Sequence, residues 1–118
     1  MTVSLHAVTF DCDDALALAR FWSELLGRSV DDGGNADFAT IGLADENDLG
    51  PGWMFVKVPE AKSAKNRCHP DLTTDDRAAA VGRATAAGAE RVGDFDEGGV
   101  RWTTLLDPEG NEFDIIDG

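Results

Sequence analysis

One succession of residues occurs twice in 118 positions: a β-favouring stretch, paired acids, an amphipathic run ending in glycine, then short alternating stretches separated by turns. A chain with such a repeat is expected to build the same supersecondary unit twice. The first copy opens with Val3-Ser-Leu-His-Ala-Val-Thr-Phe10, which predicts a strand, and turns at Asp11-Cys-Asp-Asp14. Asp13 or Asp14 caps the next segment, where Leu18, Phe21, Trp22 and Leu25 recur at helical spacing and Gly27 stands where a helix stops. Arg28-Ser-Val30, Asp37-Phe-Ala-Thr-Ile-Gly-Leu43 and Trp53-Met-Phe-Val-Lys-Val58 then predict three more strands, with turns at Asp31-Asp-Gly-Gly34 and Gly50-Pro-Gly52.

The second copy begins at Arg67-Cys-His-Pro-Asp-Leu-Thr73, with Asp75 or Asp76 as cap and an alanine-rich helix through Ala78, Val81, Ala84 and Thr85 to Gly88. Glu90-Arg-Val92, Val100-Arg-Trp-Thr-Thr-Leu-Leu106 and Glu112-Phe-Asp-Ile-Ile116 supply three strands after it. The order is βαβββ in each copy. His69 lies 63 positions after His6, and Gly88 lies 61 after Gly27, so the two copies stay in near register. Module one spans about residues 1–60 and module two about 66–118, within one domain of ordinary size. Pro59-Glu-Ala-Lys-Ser-Ala-Lys-Asn66 reads as the connection between them, its Lys62, Lys65 and Arg67 decorating a loop.

Charge narrows the partners. With 23 acidic and 10 basic residues the formal net charge is −13, which repels nucleic acid and anionic membranes and favours a cationic ligand. No apolar run is long enough to span a bilayer, and Met1-Thr-Val-Ser-Leu-His6 lacks the basic and hydrophobic regions of an export signal, so a cytoplasmic location is expected. Cys12 and Cys68 are expected to stay reduced, and as neighbours on one strand Cys68 and His69 would point to opposite faces and form no dyad. Gly98-Gly99 reads as a hairpin turn, since no helix follows to cradle a phosphate.

Asp107-Pro-Glu-Gly-Asn-Glu-Phe113, closing a double βαβββ chain, resembles the glyoxalase and bleomycin-resistance superfamily, also called vicinal oxygen chelate proteins. Asp11-Cys-Asp13 before Ala19-Arg-Phe-Trp22, Val58-Pro-Glu-Ala-Lys62 and Lys65-Asn-Arg67 resemble a bacterial glyoxalase-like subgroup, few of whose members have a known reaction. The resemblance implies an α+β fold in which two βαβββ modules form a curved half-barrel around a small-molecule cavity, commonly in a homodimer. It also implies metal ligands on the first and last strands of each module. His6 and His69 match the two first-strand positions, and Asp114 matches the last-strand position of module two.

Two imidazoles and a carboxylate suit a divalent metal such as nickel, manganese, zinc or iron, with positions left open for substrate and water. The fourth position fails, because Trp53-Met-Phe-Val-Lys-Val58 offers no carboxylate, histidine or glutamine. The implied function is a divalent-metal-dependent lyase, thiol transferase or dioxygenase. The alternative is a metal-free protein of the bleomycin-resistance type that sequesters a cationic drug or metabolite. Trp53, Phe55 and Trp102, on predicted strands, are the candidates for stacking on a planar ligand. Lys57, Arg67 and Arg101 are the strand-borne cations that an anionic substrate would need, and outward-facing solvated charge is the simpler reading of Lys57 and Arg101.

Overall fold

The computed structural model describes residues 2–45, 47–48 and 50–118, so Met1 of the opening stretch lies outside the described residues. The chain divides into two compact units, Met1–Ala61 and Lys62–Gly118. Among the described residues no helix is long and apolar enough to cross a membrane.

The first unit contains β1 (Ala7–Cys12), α1 (Ala15–Leu26), β2 (Phe38–Ile41) and β3 (Gly52–Lys57). Its sheet has the order β1-β3-β2, with β1 parallel and β2 antiparallel to β3. Asp14 caps α1 by accepting a hydrogen bond from the Ala17 amide at 3.1 Å. Gly27 ends the helix at φ 67°, a left-handed conformation that glycine adopts without strain. Between these stops, Ala15, Leu18, Ala19, Phe21 and Trp22 turn one buried stripe toward the sheet. Phe10 stacks on Trp22 with centroids 5.9 Å apart and on Phe55 at 5.7 Å, which identifies the α1-covered face of the sheet.

The strand expected at Arg28–Val30 shrinks to one bridge, Val30 opposite Ile41. A side chain replaces the missing ladder. The Asp31 carboxylate accepts from the Thr40 hydroxyl at 2.6 Å and from the Leu43 amide at 3.0 Å, while the Asp31 amide donates to the Thr40 carbonyl. Gly52 is required where β3 begins, because a Cβ there would meet Leu43 and stand 2.8 Å from the His6 carbonyl oxygen.

The second unit contains β4 (Asp71–Thr74), α2 (Arg77–Ala87), β5 (Glu90–Glu97), β6 (Val100–Leu106) and β7 (Glu112–Asp117). The sheet order is β4-β7-β6-β5, with β4 parallel to β7 and the other pairs antiparallel. Asp76 caps α2 through the Ala79 amide, and Gly88 closes it. Ala80 and Ala84 are buried against a face formed by Thr103, Leu105, Phe113 and Ile115. Small side chains on the helix let its backbone approach this sheet closely.

The loop between β6 and β7 explains the tail motif. Asp107 is buried, and its carboxylate accepts from the amides of Glu109 and Asn111 and from the Asn111 side chain. A buried carboxylate without those donors would be costly, so the spacing of Asp107 and Asn111 is set by hydrogen bonding. Asn111 in turn accepts from the Asn66 side chain at 2.8 Å. Both first strands start later than expected: β1 at Ala7 and β4 at Asp71. Cys68 and His69 therefore lie in the irregular stretch before β4, and the opposite-face argument against pairing them does not apply. Both cysteines are free, Cys12 buried and Cys68 exposed.

Candidate metal centre

Alternation in β6 and β7 sends Thr103, Leu105, Phe113 and Ile115 toward α2, leaving Trp102, Thr104, Leu106, Glu112, Asp114 and Ile116 on the opposite, open face. The register places Thr104 opposite Asp114 on one side and Asp71 opposite Asp114 on the other. Three strands thus converge on Asp114. The Thr104 hydroxyl donates to Asp114 Oδ1 at 2.6 Å, which leaves Oδ2 for other partners.

His69 arrives from the segment before β4. Pro70 follows it, restricting His69 to extended backbone, and the Pro70 carbonyl accepts from the Asp114 amide at 3.0 Å. His69 Nδ1 stands 3.0 Å from Asp71 Oδ1 and 3.7 Å from Asp114 Oδ2. The donor atoms of His69, Asp71 and Asp114 all lie within 4.8 Å of one another. Exposure is graded: Asp114 keeps 16% of its side-chain surface, His69 37% and Asp71 52%, so the cluster opens outward from a half-buried base. No lysine or arginine among the described residues pairs with Asp71 or Asp114.

The neighbouring carboxylate on the open face is handled differently. Glu112 accepts from Lys62 Nζ and from the Asn66 amide, each at 3.0 Å. Burial pushes the Glu112 carboxyl up, but Lys62 and the backbone donors, that of Asn66 among them, outweigh burial and hold it below its usual value. The contact also ties the end of the linker to β7, a role for Lys62 that the loop reading missed.

His6 takes another place. It lies in the first unit, exposed, one residue before β1. Continued back by alternation, it shares parity with Val8 and Phe10, and Phe10 marks the face that α1 covers. The structural repeat has a spacing of 62, not 63: Asp14 and Asp76 cap the helices, and Phe10 and Leu72 occupy the helix-facing register positions opposite Phe55 and Ile115. The counterpart of His69 is then Ala7. By the same spacing Asp71 corresponds to Thr9, whose partner across the ladder, Met54, corresponds to Asp114 and faces Thr40 as Asp114 faces Thr104. The open face of the first sheet holds no ligand set at these positions.

The aromatic candidates also separate. Phe55 is fully buried against Phe10. Trp53 lies on the α1 side, 5.0 Å from Trp22 and 5.5 Å from Phe10. Trp102 is on the open face of the second sheet, stacked on Phe95 at 5.5 Å and two residues along β6 from Thr104. Arg101 is exposed and pairs with Asp96, and Lys57 and Arg67 are exposed as well. Asp71 and Thr104 were not singled out in the sequence. The signal for Asp71 was its place two residues after His69 across Pro70, which restricts His69 to extended backbone and leaves the two side chains in reach of each other.

A family model described as a glyoxalase-like domain matches residues 7–116. A search of curated proteins finds no match. Among solved structures, the chain is similar to a glyoxalase/bleomycin resistance protein/dioxygenase family enzyme from Burkholderia phytofirmans, at 19% identity and TM-score 0.77, covering 98% of each chain. It is also similar to a variant of the fosfomycin resistance protein FosX from Listeria monocytogenes, complexed with Mn(II) and 1S,2S-dihydroxypropylphosphonic acid. There the identity is 13% and the TM-score 0.79, covering 100% of this chain and 92% of that one. TioX from Micromonospora matches at 19% identity and TM-score 0.63, covering 98% of each chain. At these identities the likeness is one of fold.

Proposed function

Because the chain belongs to the glyoxalase-like domain family, we propose that it acts on a small molecule through a divalent metal held on the open face of the second sheet, with His69 and Asp114 as ligands. The observation that carries this reading is the convergence of an imidazole and two carboxylates, with no lysine or arginine among the described residues pairing with either acid. FosX, with the same fold, binds Mn(II), which supports the choice of a divalent ion. A nitrogen and carboxylate oxygens suit manganese, ferrous iron, zinc or nickel. When bound, the metal supplies Lewis-acid polarisation of a substrate oxygen, the chemistry that lyases, thiol transferases and oxygenases of this kind require.

The chain's own residues do the positioning. Thr104 fixes one oxygen of Asp114, so the other is aimed at His69. Pro70 holds the approach of His69, and Trp102 offers an aromatic face along the same side of the sheet. His6 is left out of the ligand set, since alternation continued back from β1 gives it the parity of Phe10, on the side that α1 covers. Elemental analysis, followed by titration with manganese, ferrous iron, zinc and nickel in wild type and His69→Ala, tests the reading. Micromolar binding that His69→Ala abolishes is the expected result, and no binding by wild type would overturn it.

A second reading has its own observation. Asp71 and Asp114 also share the open face of the second sheet with the half-buried Trp102, two carboxylates and an aromatic ring on one side, which suits metal-free sequestration of a planar cation. A protein that binds no metal but quenches its tryptophan fluorescence with a cationic dye would follow this second reading. Free thiols fit a reducing cytoplasm. A homodimer is also part of the proposal, supported by exposed Val92, Phe95 and Val100 on the hairpin that includes edge strand β5. Light scattering would give twice the 12.6 kDa chain mass.

A further inference from the structure

Asp71 is the residue that the two-module ligand pattern does not explain. We infer that it is a third metal ligand, and that the centre is complete within the second module as a His69–Asp71–Asp114 triad. The inference rests on the metal reading above and says how that site is built.

Geometry comes first. His69 and Asp71 are two residues apart, and Asp71 stands in register with Asp114 on the neighbouring strand. At bond lengths of about 2.1 Å, two donors at right angles on an octahedral ion stand about 3 Å apart. The separations of 3.0 Å and 3.7 Å from His69 Nδ1 to the two carboxylates are close to that value. The three donors lie within 4.8 Å of one another, so a single ion could be shared by all three with its remaining positions left to substrate and water.

Electrostatics points the same way. Like charges directly opposite in a sheet are destabilising, yet Asp71 and Asp114 are register partners, with the His69 imidazole placed near both. On the same face Glu112 has Lys62 as its cation, so the fold can supply a lysine where neutralisation is the requirement. A divalent cation would offset both carboxylates at once. The first module cannot contribute by its equivalent residues, since Ala7, Thr9 and Met54 stand where His69, Asp71 and Asp114 do.

Asp71 has a rival role as a positioning residue that only orients the imidazole, and loss of affinity alone would not separate the two, because outer partners of ligands also cost tenfold or more. The test therefore reads the ion's own coordination. Mn(II) alone is titrated into wild type, Asp71→Ala, Asp71→Asn and His6→Ala, with affinity from electron paramagnetic resonance and bound waters counted by water-proton relaxation. Asp71→Ala is expected to weaken binding by more than about tenfold and to add about one water to the bound ion. His6→Ala is expected to change neither quantity. Asp71→Asn should raise the melting temperature of the metal-free protein, because it removes a like-charge contact from an exposed position.

An unchanged water count in Asp71→Ala would overturn the ligand role while leaving the metal reading in place. A tenfold loss in His6→Ala would overturn the single-module centre. No Mn(II) binding by wild type would overturn the metal reading itself, and this inference with it.

Discussion

Thr104 shows how much of the centre depends on a residue with no chemistry of its own. Its hydroxyl holds Asp114 Oδ1 at 2.6 Å, and the cross-strand register makes that contact automatic wherever a short hydroxyl side chain stands opposite the acid. Thr104→Val keeps the β-branched shape and deletes the donor. It is expected to destabilise the fold by about 1 kcal/mol, as a lost hydrogen bond does, and to weaken Mn(II) binding by about tenfold, as loss of an outer-shell partner does. Thr104→Ser, which keeps the hydroxyl, should restore most of the affinity. Unchanged binding in Thr104→Val, measured by the same titration, would mean that Asp114 needs no help to point at His69.

Elements were legible in the sequence where a local signal ends them. Gly27 and Gly88 end the helices where the sequence predicts, and of the two acids offered at each start Asp14 and Asp76 are the caps, because caps act on the backbone within one turn. Strand starts were not legible, because β1 and β4 begin where β3 and β7 offer a partner, and no nearby residue announces that. One consequence concerns His6: a single-residue slip in register exchanges the two faces of a strand, so the 63-residue separation of His6 and His69 does not fix which face each takes. The strand expected at Arg28–Val30 shortens to the single Val30–Ile41 bridge, and the Asp31 side chain supplies the hydrogen bonds that follow it. Burial pushes the Asp31 carboxyl up, but the Thr40 hydroxyl and the amides of Leu43, Ala44 and Gly42 outweigh it and hold it below its usual value. A folded-state value below the unfolded one means that Asp31 stabilises the fold fully above about pH 4, and that this contribution is lost as pH falls through the lowered value. Asp31→Asn should therefore cost about 1 kcal/mol at pH 7 and flatten the acid limb of stability below about pH 4. Urea unfolding across that range checks both, and an equally steep acid limb in the variant would assign the acid sensitivity to other carboxylates.

At the scale of the whole molecule, the net charge of −13 and the local pair of carboxylates make different claims on a cation. In the proposed centre Asp71 and Asp114 would act at contact distance, where added salt screens little, whereas the remaining acids would act through solvent and be screened over a Debye length of about 10 Å at 0.1 M salt and about 3 Å at 1 M. Raising sodium chloride between those limits thus separates the two contributions. Mn(II) affinity is expected to fall by about tenfold if the distributed charge concentrates cations near the centre, with the decrease carried mainly by the association rate. The same field should make a phosphonate dianion a poor ligand in the absence of metal, and its binding should strengthen as salt rises. Stopped-flow measurement at several ionic strengths reads both effects. A salt-independent association rate would show that the acidic excess serves solvation alone, and that Asp71 and Asp114 draw the ion in without help from the rest of the chain.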